Sequence, residues 1–216
     1  MKKNKDIYII ICCIFFGILN LIEINIDMSY IIVVARYNED VEWTKHFSNV
    51  FIYNKGEKLK SEYKNEVLMK NNIGREGHTY YTYIYNNYDN LPDYIVFLQG
   101  RPYDHSPNLN NNLQKYINNG FKSNFEFLSE NIIKCNLNGC HHHPGLPLKN
   151  VYENIFGERK ETLDFHFGAG AQFFVSKENI LNKPKEFYKK IIELLDYDIN
   201  PIEGYVIERF HKLIMT

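Results

Sequence analysis

The chain has 216 residues, of which 44% are hydrophobic and 15% aromatic, enough to bury one core and hardly two. Its 25 basic and 26 acidic residues leave a formal net charge of -1 at pH 7, and Lys and Arg form no dense run. A general nucleic-acid-binding surface is therefore excluded as an expectation.

The N-terminus reads as a membrane element. Lys2, Lys3 and Lys5 precede an apolar run over 7–22, which spans roughly 24 Å as a helix, or about 30 Å if continued to Ile26. A cleaved signal needs small residues at the cut, and the ILNLIEINID that follows Gly17 has none. The expectation is a cytoplasmic stub and transmembrane signal anchor over 1–27. A single domain over 28–216 would then lie on the lumenal or outer side, because the lysines stay cytoplasmic. That is the topology of a single-pass type II membrane protein; a cleaved signal or a buried helix is the alternative.

Strand and helix signals alternate beyond the anchor. Residues 31–35 (IIVVA) form a continuous apolar run, suited to a strand covered on both faces. Asp40 can cap a short helix carrying Val41, Trp43, Thr44 and Phe47, and 50–53 (VFIY) is a second strand, so the opening order suggests a βαβ unit. Over 76–88, Tyr80, Tyr81, Ile84, Tyr85 and Tyr88 recur three or four apart, which predicts one apolar helix face. Leu91-Pro92-Asp93 stops that helix before a strand at 94–98 (YIVFL). An Asn-rich stretch over 106–120 holds a short helix near 113–117, and a Cys/His/Pro loop runs to about Leu148. Residues 165–170 are a Gly-rich approach to a strand at 172–176, and helices are expected near 184–195 and 202–214.

Cysteines divide into two kinds. Cys12 and Cys13 fall in the apolar run as lipid-facing or packed thiols. Cys135 and Cys140 bracket the turn NLNG in a segment expected to face an oxidising compartment, so a local disulfide leads. Zinc is the alternative, since His141, His142 and His143 follow, although adjacent residues rarely reach one metal together.

In a parallel α/β sheet the ligand crevice lies at the carboxyl ends of the strands, and three such ends are unusually polar. At 36–40 (RYNED), the Arg36 guanidinium could meet a phosphate while carboxylates reach a ribose, base or metal. At 71–76 (NNIGRE), free helix amides and Arg75 would suit a diphosphate. At 99–105 (QGRPYDH), Gly100 and Pro102 set a turn, Asp104 and His105 are adjacent potential metal ligands, and Arg101 could neutralise a leaving phosphate. Each also reads as an ordinary capped turn or solvated loop. Glu203 and Glu208 lie five apart on the last predicted helix, so at most one of them should face a crevice.

The series VVARYNEDVEW, VFIYNKG, NNIGREGHTYYTYI, LPDYIVFLQGRPYDH and GAGAQFFVSKENI resembles an uncharacterised domain-of-unknown-function family over nearly all of 31–214. That family is loosely similar to nucleotide-diphospho-sugar glycosyltransferases of the GT-A fold. The resemblance implies a Rossmann-like, mixed and mainly parallel sheet flanked by helices, a nucleotide-sugar donor, a glycan acceptor and a divalent cation, Mn or Mg. Such enzymes usually carry Asp-x-Asp after the central strand, where this chain has QGRPYDH, so only Asp104 and His105 could hold the metal. Residue by residue, Arg36, Asn38 and Glu39 would lie near the nucleotide, and Gln99 and Arg101 with Asp104 and His105 near the diphosphate. Residues 168–172 would lie on the acceptor side. Asp164, His166 and Glu203 are the candidate bases for an acceptor hydroxyl. The expected function is a membrane-anchored glycosyltransferase-like protein. The rivals are a non-catalytic carbohydrate-binding module on the same fold and a metal-dependent hydrolase built on His105 and His141 to His143.

Overall fold

The structure is a computed structural model that describes residues 28–216 apart from 64, 70 and 141. Its strands are β1 (Tyr30–Arg36), β2 (Val50–Asn54), β3 (Glu66–Leu68), β4 (Tyr94–Gln99), β5 (Phe125–Phe127), β6 (Ile132–Asn136), β7 (Asp164–Gly168) and β8 (Phe173–Ser176). Its helices are α1 (Arg75–Asn87), α2 (Leu109–Asn119), α3 (Leu148–Phe156), α4 (Lys177–Leu181), α5 (Lys185–Leu195) and α6 (Ile202–Met215). Short 3-10 turns occupy Glu42–His46, Tyr88–Asn90 and Pro102–Asp104.

Six strands form the main sheet in the order β3-β2-β1-β4-β8-β5. From β3 to β4 all neighbours are parallel, whereas β8 runs antiparallel to both β4 and β5. This is the mixed, mostly parallel α/β sheet expected from the sequence. The continuous apolar strands follow from burial on both faces. Val33, Ile95, Phe97, Phe173 and Val175 join one core with Tyr80, Tyr81, Ile84, Ile191 and Phe210. Their alternates Ile32, Val34, Val96, Leu98 and Phe174 join a second core with Trp43, Leu109, Leu113 and Phe121.

Chain order creates the site. From β1 the sheet grows outward through β2 and β3, and α1 then carries the chain back to β4 on the other side of β1. The connections leaving β1 and β4 diverge, which opens a crevice between their carboxyl ends. The link from β1 to β2 is the 3-10 turn rather than a full helix, and Asp40 holds its start by accepting from the Glu42 amide at 2.9 Å.

Several boundaries differ from the sequence expectation. Residues 164–168 are a strand: Phe165 and Phe167 are buried while Asp164 and His166 are exposed, a period of two that the flanking glycines obscured. It pairs with β6 in a separate two-stranded sheet. The Asn-rich helix runs over Leu109–Asn119, longer than its apolar residues alone suggest. Cys135 and Cys140 are joined in a disulfide, which occupies the thiolates that a zinc site would need. The expected anchor, with Cys12 and Cys13, lies outside the described residues. Among the described residues no helix is long and apolar enough to cross a membrane.

Candidate functional site

A cleft of about 340 Å³ lies at the point where the sheet order reverses. Its lining includes Arg36 from the end of β1, Gln99 and Gly100 from the end of β4, and Arg101 and Asp104 from the following turn. Lys55 after β2 and Asn72, Arg75 and Glu76 at the start of α1 complete the wall, with Glu39. The four residues Arg36, Arg75, Arg101 and Asp104, drawn from the ends of β1 and β4 and the start of α1, thus meet in one cleft.

Their freedom to meet a ligand differs. Arg36 is only 9% exposed. Its Nε donates to the Glu39 carbonyl at 2.9 Å, and its Nη1 donates to Asn54 Oδ1 at 2.7 Å and the Glu57 carbonyl at 2.9 Å. It braces the loops after β1 and β2. Asn38 does the same work, accepting from the Glu57 amide at 2.8 Å, and Glu39 Oε2 accepts from the Tyr37 amide at 2.7 Å. Arg101 is at the rim, 72% exposed and 3.5 Å from Asp104. The turn that carries both is fixed from two sides: Trp43 Nε1 donates to the Gly100 carbonyl and Gln172 Nε2 to the Pro102 carbonyl, each at 2.9 Å.

Arg75 is held in an unusual backbone conformation. It follows Gly74, and both residues are left-handed, with φ of 67° and 51°. Glycine tolerates that region, but for arginine it costs on the order of 1 kcal/mol, which the surroundings must hold in place. They do so by stacking the guanidinium 4.3 Å above the Tyr205 ring and by a 2.9 Å bond from Nη1 to Asn200 Oδ1. Lys55 was missed in the sequence, although the strand-end rule that selects Arg36 and Gln99 applies equally to the residue after β2. Its Nζ donates to the carbonyls of Ile73 and Arg75, both at 2.6 Å.

Burial pushes Lys55 down to about 8, against the opposing pull of Glu76 and Asp196. Folding therefore disfavours its protonated form. Its contribution to stability is least below about 8 and rises with pH towards the ordinary lysine value of 10.5. A carbon-detected NMR titration of the lysine side chains should show one resonance with a midpoint near 8, absent from Lys55→Met. If all lysines titrate in the ordinary range, the buried placement of Lys55 is wrong.

A second cleft, of about 620 Å³, shares Arg75 with the first. Ile132, Ile133 and Phe167 give it apolar surface, and His105, His142, His143, Tyr205, Glu208 and Arg209 line it as well. Arg209 is 2% exposed. Its Nη1 donates to the Tyr205 carbonyl at 2.6 Å, its Nη2 to the His142 carbonyl at 3.1 Å, and its guanidinium lies 4.7 Å over Phe167. Arg209 Nη2 is also 3.1 Å from His143 Nδ1. Arginine can only donate, so Nδ1 accepts and the neutral ring carries its proton on Nε2. Burial, then Arg209 and Arg75, push the His143 pKa down, consistent with a neutral ring. Glu208 Oε1 accepts from the Gly170 amide at 2.8 Å, while Oε2 is 3.6 Å from Arg209 Nη1.

The sequence candidates separate accordingly. Asp104 faces the first cleft and His105 the second, so this adjacent pair does not form a common metal site. Among the described residues no group of three or more His, Cys, Asp and Glu side chains could hold a metal ion. Asp164 is at the exposed start of β7, paired with Asn136 at 2.9 Å and Lys134 at 3.1 Å. His166 is exposed on the same strand, and Glu203 accepts from the Tyr197 hydroxyl. These three line neither cleft. Glu208, rather than Glu203, is the acid of the last helix that turns inward. His105 and His143 do share the second cleft with His142, whereas His141 lies outside the described residues.

Fold and clefts together define a mixed α/β domain with a charged crevice at its topological switch point. The family model described as Protein of unknown function (DUF3431) matches residues 31–216, and the chain belongs to that family. No curated protein and no solved structure matches the chain.

Proposed function

We propose that the switch-point cleft holds the phosphates of a nucleotide-sugar donor, and that the protein passes the sugar to a hydroxyl of a glycan or glycoconjugate, as the loose likeness to GT-A glycosyltransferases implies. The observation that carries this reading is the gathering of Lys55, Arg75 and Arg101 with the first turn of α1 in one cleft. Glu39, Glu76 and Asp104 line the same cleft, and such a mixed surface suits a ligand with both phosphate oxygens and sugar hydroxyls better than bare phosphate.

The divalent cation expected from Asp104 and His105 does not fit these residues, because their side chains line different clefts. Charge on the diphosphate falls instead to Lys55, Arg75 and Arg101. An anchor preceding Met28 agrees with this arrangement. The described chain enters at the Tyr30 end of β1, and the cleft opens at the Arg36 end, so a membrane on the entry side leaves the cleft facing away from it.

Titration calorimetry of the protein with UDP, in EDTA and then with manganese, tests the reading. Binding should be measurable below millimolar UDP and change by less than about threefold with the metal, since protein cations supply the charge. Absence of binding at millimolar UDP and GDP overturns it. Binding to glycans with no turnover of any nucleotide sugar would favour the non-catalytic module.

A further inference from the structure

The second cleft and Glu208 have no part in binding the donor, yet they adjoin it through Arg75. We propose that this larger cleft receives the hydroxyl-bearing acceptor and that Glu208 is the catalytic residue that takes the proton from the attacking hydroxyl. The proposal rests on the nucleotide-sugar reading of the first cleft.

Geometry supplies the first support. The Gly170 amide anchors Glu208 Oε1 at 2.8 Å, which orients the carboxylate along the cleft wall. That anchor depends on glycine: Gly170 has φ of 86°, and a Cβ there would come within 2.5 Å of the His105 ring. The backbone amide that holds the acid and the imidazole that also lines the cleft can pack together only at this residue. Apolar Ile132 and Phe167 beside these polar groups suit the alternating faces of a sugar ring.

Electrostatics supplies the second. Burial raises the Glu208 pKa, and the carboxylate of Glu76 on α1 raises it further; the Gly170 amide, Arg209 and Arg75 oppose the shift. The other titratable groups lining the cleft or acting on it are His105 after β4, Glu130 before β6, Tyr205 on its own helix, His142 and His143 on the loop after the disulfide, and Tyr80. The Tyr80 hydroxyl is fully buried, and no partner for it is present among the described residues. A carboxylate made more basic in this way is a better proton acceptor near neutral pH than an exposed one.

The transfer balances as a single displacement. The acceptor O–H bond breaks and its proton passes to Glu208, while the acceptor oxygen bonds to the anomeric carbon of the donor sugar. The bond from that carbon to the phosphate oxygen breaks, and its electron pair leaves on the nucleoside diphosphate beside Lys55 and Arg75. The configuration at the anomeric carbon inverts.

The test uses the full chain with UDP-glucose, UDP-N-acetylglucosamine and GDP-mannose as donors and p-nitrophenyl β-galactoside as the hydroxyl probe. Nucleoside diphosphate release is followed against pH, and UDP affinity is measured separately. Glu208→Gln should keep UDP affinity within about twofold, lower release at least ~100-fold and abolish the acidic limb of the rate profile. Should Glu208→Gln fail to fold, Glu76→Gln serves: removing its charge should move the acidic limb to lower pH. Release by folded Glu208→Gln within about threefold of the parent overturns the proposal, as does an acidic limb that Glu76→Gln leaves in place. If the parent binds UDP but releases diphosphate from no donor, the proposal fails while the donor site stands. If it binds neither UDP nor GDP, the donor reading itself has failed.

Discussion

Arg209→Ala should lower the unfolding free energy by about 3 kcal/mol, measured by urea denaturation of the parent and the variant. Arg209 is 2% exposed, and its guanidinium joins three parts of the chain. It bonds to the Tyr205 carbonyl of α6, to the His142 carbonyl of the loop after the disulfide, and it covers Phe167 of β7. Truncation removes the guanidinium from the Tyr205 and His142 carbonyls, uncovers Phe167 and leaves Glu208 without the cation 3.6 Å away. Because the buried acid already has a raised pKa, the neighbouring positive charge matters most when Glu208 is ionised. The loss should therefore shrink as pH falls through that pKa, since the protonated acid no longer needs a partner. A loss below about 1 kcal/mol at neutral pH would show that the guanidinium is solvated rather than buried.

Arg75→Gly should reduce UDP affinity by about 30- to 100-fold, the loss of one well-placed charge-assisted contact, while changing unfolding free energy by less than about 1 kcal/mol. Two opposing effects explain the small change in stability. Glycine relieves the left-handed backbone at φ 51°, and the stacking on Tyr205 with the bond to Asn200 is lost. Arg75→Lys should bind UDP more weakly than the parent as well, because an ammonium cannot reproduce the stack and the fork together. By contrast Arg101→Ala should cost less than about fivefold, since that side chain is 72% exposed and screened at the rim. Equal losses at Arg75 and Arg101 would place the phosphates at the rim instead of against α1.

Much of the fold was legible along the chain because burial leaves a local signature. Residues 31–35 and 94–98 are apolar without interruption, as strands covered on both faces must be, and they became the adjacent parallel strands β1 and β4. The tyrosine spacing from 76 onward marked the buried side of α1, where Tyr80, Tyr81 and Ile84 are fully covered. Short edge elements left weaker marks. Phe125–Phe127 and Asp164–Gly168 are too brief for a periodic pattern to stand out beside Asn and Gly residues.

The strand-end rule found candidate residues without distinguishing their roles. Arg36 and Arg75 are both arginines after or before a turn, yet one is held by main-chain carbonyls of neighbouring loops and the other is stacked over Tyr205 between two clefts. Which of these happens depends on loops that are distant in sequence, so composition and spacing are silent on it. Glu203 and Glu208 differ for a simpler reason. Five residues turn a helix by roughly 140° beyond a full revolution, so one acid faces Tyr197 while the other reaches Gly170.

By itself the sequence determined the mixed α/β class, its family, its main buried strands and helices, and the short list of polar strand ends, because these depend on local periodicity and residue chemistry. Only the tertiary structure decided that β1 lies between β2 and β4, which opens the cleft, and that Lys55 and Arg75 meet there. It also decided that Asp104 and His105 part company and that Glu208 turns inward. Those outcomes are set by long-range strand pairing and helix rotation, where residues far apart in the chain become neighbours only after the core has packed.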